Sequence, residues 1–262
     1  MTSDLTFQLL EQGQLLEQSD PPPVERLEGS GNDALLLVCE HAGQTVPAKL
    51  NDLGLAYEEL QRHIAWDIGA ATVTRRLSAR LGAPAILQRY SRLVIDCNRP
   101  PGVPSSIPEV SDLTEIPGNK NLAEPERLAR VSEIFRPFED AIASQIERMP
   151  PRLLADIHSF TPVLQGCRRP WEIGLLFNRD DRGAKALMAQ LKRRRPGLAA
   201  AFNQPYRVTD RGDFTIPTHG EQRGLMHILI EIRNDLISDE AGAAAWSELL
   251  AACFTALLED PS

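Results

Sequence analysis

The stretch Ala34-Leu35-Leu36-Leu37-Val38-Cys39 is apolar at every position and then stops abruptly at Glu40-His41-Ala42-Gly43. A strand with one wet face alternates apolar and polar side chains, so a run without alternation belongs to a strand covered on both faces. Similar short runs recur at 84–88, 92–97, 152–157, 171–177 and 225–232, and each reads as a strand. Between them lie segments with helical spacing: 68–81, closed by Gly82 as its C′ residue; 124–149, bent near Pro137; 182–195; and 240–258. Strands alternating with helices imply an α/β fold of three layers, a mostly parallel mixed sheet between helices. Residues 31–262 are expected to form one domain, preceded by an extended arm over 1–30 that contains Pro21-Pro22-Pro23. A homodimer would form through that arm.

Charge narrows the range of partners. The net charge is −8, and phosphate recognition needs clustered Lys and Arg. The one basic cluster, Lys192-Arg193-Arg194-Arg195, closes a helical segment, where it complements the helix dipole. Nucleic acid is therefore not expected as a partner. Neither is a membrane, because no apolar run is read as reaching the roughly 20 residues that span a bilayer. The first 30 residues lack the basic and apolar regions of a signal peptide. Four cysteines without C-x-x-C spacing suit reduced thiols, and a cytoplasmic location is expected.

The polar residues at strand ends carry the chemical signal, because sites in open α/β sheets gather at the carboxyl ends of strands. One run ends in Glu40-His41, another in Asp96-Cys97-Asn98-Arg99, a third in Asp156-Ile157-His158. A fourth, His227 to Arg233, carries Glu231 inside an apolar stretch, and burial of that carboxylate unpaired would be costly. Two histidines and a carboxylate leave one tetrahedral position open, as catalytic zinc requires. Glu231 is the candidate general base, and the planar guanidinium of Arg99 suits capture of a substrate carboxylate. Two loops, 100–121 with five Pro and two Gly and 209–224, are long enough to be functional.

The segments EHAGQTVP (40–47), HIAWDIGA (63–70), YSRLVIDCNRP (90–100), DIHSF (156–160) and LIEIRNDLI (229–237) together resemble the N-formylglutamate amidohydrolase family, over about residues 34–240. The family is similar in fold to zinc carboxypeptidases and aspartoacylase-like deacylases, and the resemblance implies that phosphorylase/hydrolase-like fold here. It further implies one zinc ion held by His41, Asp67 and His158, and cleavage of an N-formyl or similar N-acyl amino acid in histidine breakdown. It places Asn98 and Arg99 on the substrate carboxylate, Glu231 as base, and Arg92, Arg223 and His219 near the substrate; there His219 would hydrogen-bond the oxyanion. The carboxypeptidase-like relatives have a glutamate ligand where this chain has Gln44. The carboxylate must therefore come from elsewhere, with Asp67 chosen and Glu40 its rival.

Competing readings accompany these assignments. Asp67 would also serve as N-cap of the helix beginning at Ile68, and His41 or His158 as a satisfied core histidine. His63 reads as a surface residue. Arg99 would pair with Asp96, and Glu231 with Arg233 or Arg92, in a purely structural network. Cys167, flanked by Arg168 and Arg169, is the thiol whose setting best suits a nucleophile, but a cysteine hydrolase is disfavoured. Rival functions are a deacylase of another N-acyl amino acid and a metal-free metabolite-binding protein.

Overall fold

The computed structural model describes residues 14–259. Eleven strands occur among them: β1 (Val24–Leu27), β2 (Leu35–Cys39), β3 (Ala85–Gln88), β4 (Val110–Ser111), β5 (Thr114–Glu115), β6 (Leu153–Phe160), β7 (Val163–Leu164), β8 (Cys167–Arg168), β9 (Ile173–Leu176), β10 (Ala200–Phe202) and β11 (Met226–Arg233). Seven form one mixed sheet in the order β1-β3-β2-β6-β11-β9-β10; β4 with β5 and β7 with β8 are separate hairpins. The inner strands β3, β2, β6 and β11 are parallel, β1 is antiparallel to β3, and β9 and β10 run against β11.

The apolar run of β2 shows why the sheet needs two covering layers. Leu35, Leu37 and Cys39 point into one core, packed with Leu77 of helix α2 (Ala70–Leu81), Leu187 of α5 (Arg182–Arg194) and Phe254 of α6 (Glu240–Glu259). Leu36 and Val38 point the other way, onto Phe138 and Ile142 of α4 (Arg136–Arg148). The two-residue period of a strand thus divides one hydrophobic run between two cores. Numbered with these, α1 is the single turn Tyr57–Leu60 and α3 is Glu124–Arg130. A π-helical turn, Val131–Phe135, joins α3 to α4 without interruption, so the long helix passes into π spacing just ahead of Pro137, which has no N–H to give the ladder.

Several expectations change. Residues 92–97 are not a strand: Val94 N–H donates to Ser91 O, Asp96 N–H to Ser106 O and Arg99 N–H to Asp96 O, so consecutive turns use the backbone groups that a sheet neighbour would need. Part of the stretch read as an arm, Val24–Leu27, is an edge strand of the sheet; residues 1–13 of it lie outside the described residues. Glu240–Glu259 is apolar and long enough to cross a membrane by length and composition, contrary to the reading from the sequence. Its Trp246, Leu250, Phe254 and Leu257 are buried in the core shared with α2 and α5, which accounts for the hydropathy without a bilayer.

Candidate metal centre

Sheet register alone brings the principal residues together. β2 and β6 are parallel with Val38 opposite Asp156, which carries Glu40 and His41, just beyond β2, to the level of His158. β11 lies on the other side of β6 with Glu231 directly opposite His158. Three neighbouring strands therefore deliver two imidazoles and two carboxylates to one level of the sheet.

Asp67 reaches the same point from the segment before α2. Its side chain is not the helix cap: the N-cap residue is Gly69. Asp67 Oδ2 instead accepts the Ser159 N–H at 3.0 Å and lies 3.0 Å from His158 Nδ1. Gly69 takes φ +84°, and a Cβ there would fall 2.2 Å from the Ile237 carbonyl oxygen, so only glycine lets the chain turn here and bring Asp67 inward.

The donor geometry is specific. His41 Nδ1 and His158 Nδ1 face each other at 3.1 Å, and Asp67 Oδ1 is 3.5 Å from His41 Nδ1. On the far sides of the rings, His41 Nε2 meets Asp96 Oδ1 at 2.7 Å, while His158 Nε2 has Asp156 Oδ1 at 3.0 Å and Glu40 Oε2 at 3.1 Å. A carboxylate beside Nε2 favours a ring proton there, so a metal ion replacing the remaining proton would meet Nδ1 as a lone pair. Without one, burial is outweighed by Asp156 and its neighbouring acids, which hold the His158 imidazole well above its ordinary value. Two Nδ1 atoms and a carboxylate oxygen crowd one point, where a shared proton or a metal cation holds them together. The donor set fits a divalent ion bound through Nδ1, Nδ1 and carboxylate oxygen. Glu40 could complete a second grouping only with Asp156 and His158 Nε2, behind the ring and away from His41 Nδ1.

Electrostatics divides the buried acids into two kinds. Burial alone would raise the Asp67 carboxyl, but the two imidazoles, His41 foremost, hold it below the usual carboxylate range. Burial likewise works against Asp96, yet Arg92 and then His41 keep it well below its ordinary value. Glu231 behaves differently: burial, partly offset by His158 and reinforced by Asp67, pushes it up to about 7. Its Oε2 is buried without a hydrogen-bond partner. Arg233, the partner suggested from sequence, points elsewhere, onto Asp235 at 2.8 Å. A carboxyl with its proton affinity raised to neutrality is suited to taking and returning a proton.

His41, Asp67, His158 and Glu231 line a cavity of about 260 Å³, with Arg92 and Arg99 also on its wall. Arg92 Nη2 donates to Asp96 Oδ2 at 2.8 Å, and its Nη1 is 3.5 Å from Asp67 Oδ1. Arg99 pairs not with Asp96 but with Asp213: its Nη1 donates to Asp213 Oδ1 and Asn98 O, each at 3.1 Å, and to Gly212 O. Asn98 also lines the cavity, but its Oδ1 accepts Phe214 N–H at 3.0 Å and Thr215 N–H at 3.2 Å, so that oxygen holds the 209–215 loop in place.

Two assigned residues lie elsewhere. His219 is buried in the π-helical turn Ile216–Glu221, with Nε2 2.6 Å from Glu139 Oε2 of α4, and does not line the cavity. Arg223 follows that turn and faces Glu147 of α4 at 3.8 Å, also outside the cavity. The 209–224 loop is divided: its first half reaches the cavity through Asp213, and its second packs as a helical turn against α4 and β11. Conversely His63, read as a surface residue, lines the cavity, together with Asp112, Asp213 and Tyr206, which the sequence did not single out. Only His63 carried a local signal, since it precedes Asp67 by four residues on the same segment.

Comparison with known proteins gives the family and the fold. The family model for N-formylglutamate amidohydrolase matches residues 33–238. Among solved structures, a gene product of Agrobacterium tumefaciens is 39% identical, with a TM-score of 0.86 over 94% of this chain and 98% of that one. An N-formylglutamate amidohydrolase from Ralstonia eutropha shares the fold at 21% identity, with a TM-score of 0.71 over 91% of this chain and 98% of its own. No curated protein matches.

Proposed function

The chain belongs to the N-formylglutamate amidohydrolase family, and on that premise we propose that it is a zinc-dependent hydrolase releasing formate and L-glutamate from N-formyl-L-glutamate. The observation that carries this reading is the convergence of two imidazole Nδ1 atoms and Asp67 beside the buried Glu231. His41, Asp67 and His158 would hold one divalent ion. Bound there, it would supply Lewis acidity toward the amide carbonyl and acidify a nearby water.

The chain's own groups account for the remainder of the reaction. Glu231 takes a proton from the attacking water and returns it to the departing amine as the carbon–nitrogen bond breaks. Arg92, already turned toward Asp67 and Asp96, adds positive potential where the carbonyl oxygen becomes anionic. Arg99 spends only Nη1 on the 209–213 loop; the edge formed by Nε and Nη2 is left for the two oxygens of the substrate α-carboxylate. In this reading the substrate is a free metabolite of histidine breakdown, and the enzyme works in the cytoplasm without nucleic acid or membrane.

Removal of metal with a chelator should abolish deformylation, and zinc should restore it. Full turnover by metal-free protein would overturn the proposal. A panel of N-formyl and N-acetyl amino acids reads the acyl preference: retention of N-formyl-L-glutamate as the fastest substrate is expected, and a faster N-acetyl substrate would move the assignment to another deacylase.

A further inference from the structure

Resting on the hydrolase reading above, we infer that His63, set against Asp112 of the β4–β5 hairpin, is the specificity-determining residue that receives the substrate side-chain carboxylate. A formyl group is small and occupies the metal end of the cavity, so the amino-acid portion must extend toward the loop-built wall. Arg99 on the 209–213 side takes the α-carboxylate. The side chain is left to the other loop on that wall, where Ser111 and Asp112 face the cavity with His63.

Three observations support a recognition role there. First, His63 Nε2 is buried without a hydrogen-bond partner, although Asp112 Oδ2 lies 3.3 Å away, so the ring has unused hydrogen-bonding capacity at a cavity wall. Second, burial, with Arg62, Arg92 and Arg169 acting against Asp112, holds the His63 imidazole below its ordinary value. Arg62, which also pairs with Glu59, has Nη2 3.4 Å from Asp112 Oδ2 and so takes up part of that acid's charge beside the ring. Third, the hairpin holds a costly backbone: Asp112 and Leu113 both have positive φ, +42° and +66°, in a two-residue turn where Asn-Gly is the usual choice. The turn directs Asp112 at the cavity and leaves Leu113 exposed, an arrangement that packing alone does not call for.

His63 does not belong to the metal-binding triad, so its loss should be read in the choice of substrate. The test is His63→Leu, compared with His63→Gln, which keeps a hydrogen-bond donor. KM and kcat are measured for N-formyl-L-glutamate and for N-formyl-L-norvaline, which lacks the side-chain carboxylate. His63→Leu is expected to raise KM for the acidic substrate by about tenfold or more, the loss of one charge-assisted hydrogen bond, with kcat and zinc content retained. The neutral substrate should be unaffected, and His63→Gln should recover part of the loss. An equal fall for both substrates, or an unchanged preference, would overturn the inference. Equilibrium binding of the same two compounds is measured in parallel. If the wild-type protein turned over neither, the hydrolase reading would fail, while the binding preference of wild type against His63→Leu would still decide the role of His63.

Discussion

Two buried histidine clusters in this molecule look alike at first and differ in one respect. At the centre of the sheet, His41 and His158 each meet a carboxylate through Nε2 and turn Nδ1 toward a shared point with Asp67. Beside α4, His219 also meets a carboxylate, Glu139, through Nε2, but its Nδ1 has no partner among the described residues. The acids follow suit. Imidazoles hold Asp67 below its ordinary value despite burial, whereas at Glu139 burial wins over His219 and pushes the carboxyl up. A buried histidine–carboxylate pair is therefore insufficient evidence of a metal site. Convergence of several donors on one point, with a second set of acids orienting the rings from behind, separates the two clusters.

Substitutions should separate the clusters in function as well, and the largest effect falls on the ligands. His158→Ala removes the donor placed between Asp67 and the other imidazole, and should eliminate both bound metal and turnover. Retention of stoichiometric zinc by the folded variant, read by elemental analysis, would break the comparison. Next in size, Glu231→Gln should keep its zinc while kcat falls by about 10²–10⁴-fold, the range for a lost general base; wild-type kcat would remove Glu231 from the mechanism. Smaller again, Asp96→Asn leaves a hydrogen-bond acceptor for His41 Nε2 but removes the charge that also anchors Arg92. Zinc affinity, read by competition with a chelator, should drop by about 10–100-fold. The smallest effect on metal belongs to the other cluster. His219→Gln should leave zinc affinity unchanged while denaturant unfolding shows a loss of about 1–3 kcal/mol, the penalty for a buried polar partner left unpaired; a matching loss of metal would show that the two clusters are one.

The parts of this structure legible in the sequence are those governed by local pattern. The unbroken apolar run of β2 demanded cover on both faces, and the polar residues beyond β2 and within β6 and β11 fell at one level because parallel register is a simple offset. Residues 92–97 misled because Leu93, Val94 and Ile95 are buried as any strand core would be, yet they sit in turns whose bonding partners, such as Ser106, are chosen by the fold. Asp67 was ambiguous in one dimension, since a helix start follows it; the close approach of Gly69 to Ile237 settles which way its side chain turns, and no local motif encodes that contact. His219 and Arg223 share a segment with Asp213, and only the packing of the π-helical turn on α4 separates the residues that reach the cavity from those that do not. Loop-built walls join distant stretches of chain, so His63 and Asp112 have no signature of their meeting in sequence.

The most direct test of the metal assignment is the anomalous signal at the zinc edge from crystals of zinc-loaded protein. One ion is expected about 2.0–2.2 Å from His41 Nδ1, from His158 Nδ1 and from an oxygen of Asp67. An ion on the opposite side of the His158 ring, held by Nε2 with Glu40 and Asp156, or no ion within reach of either imidazole, would contradict it.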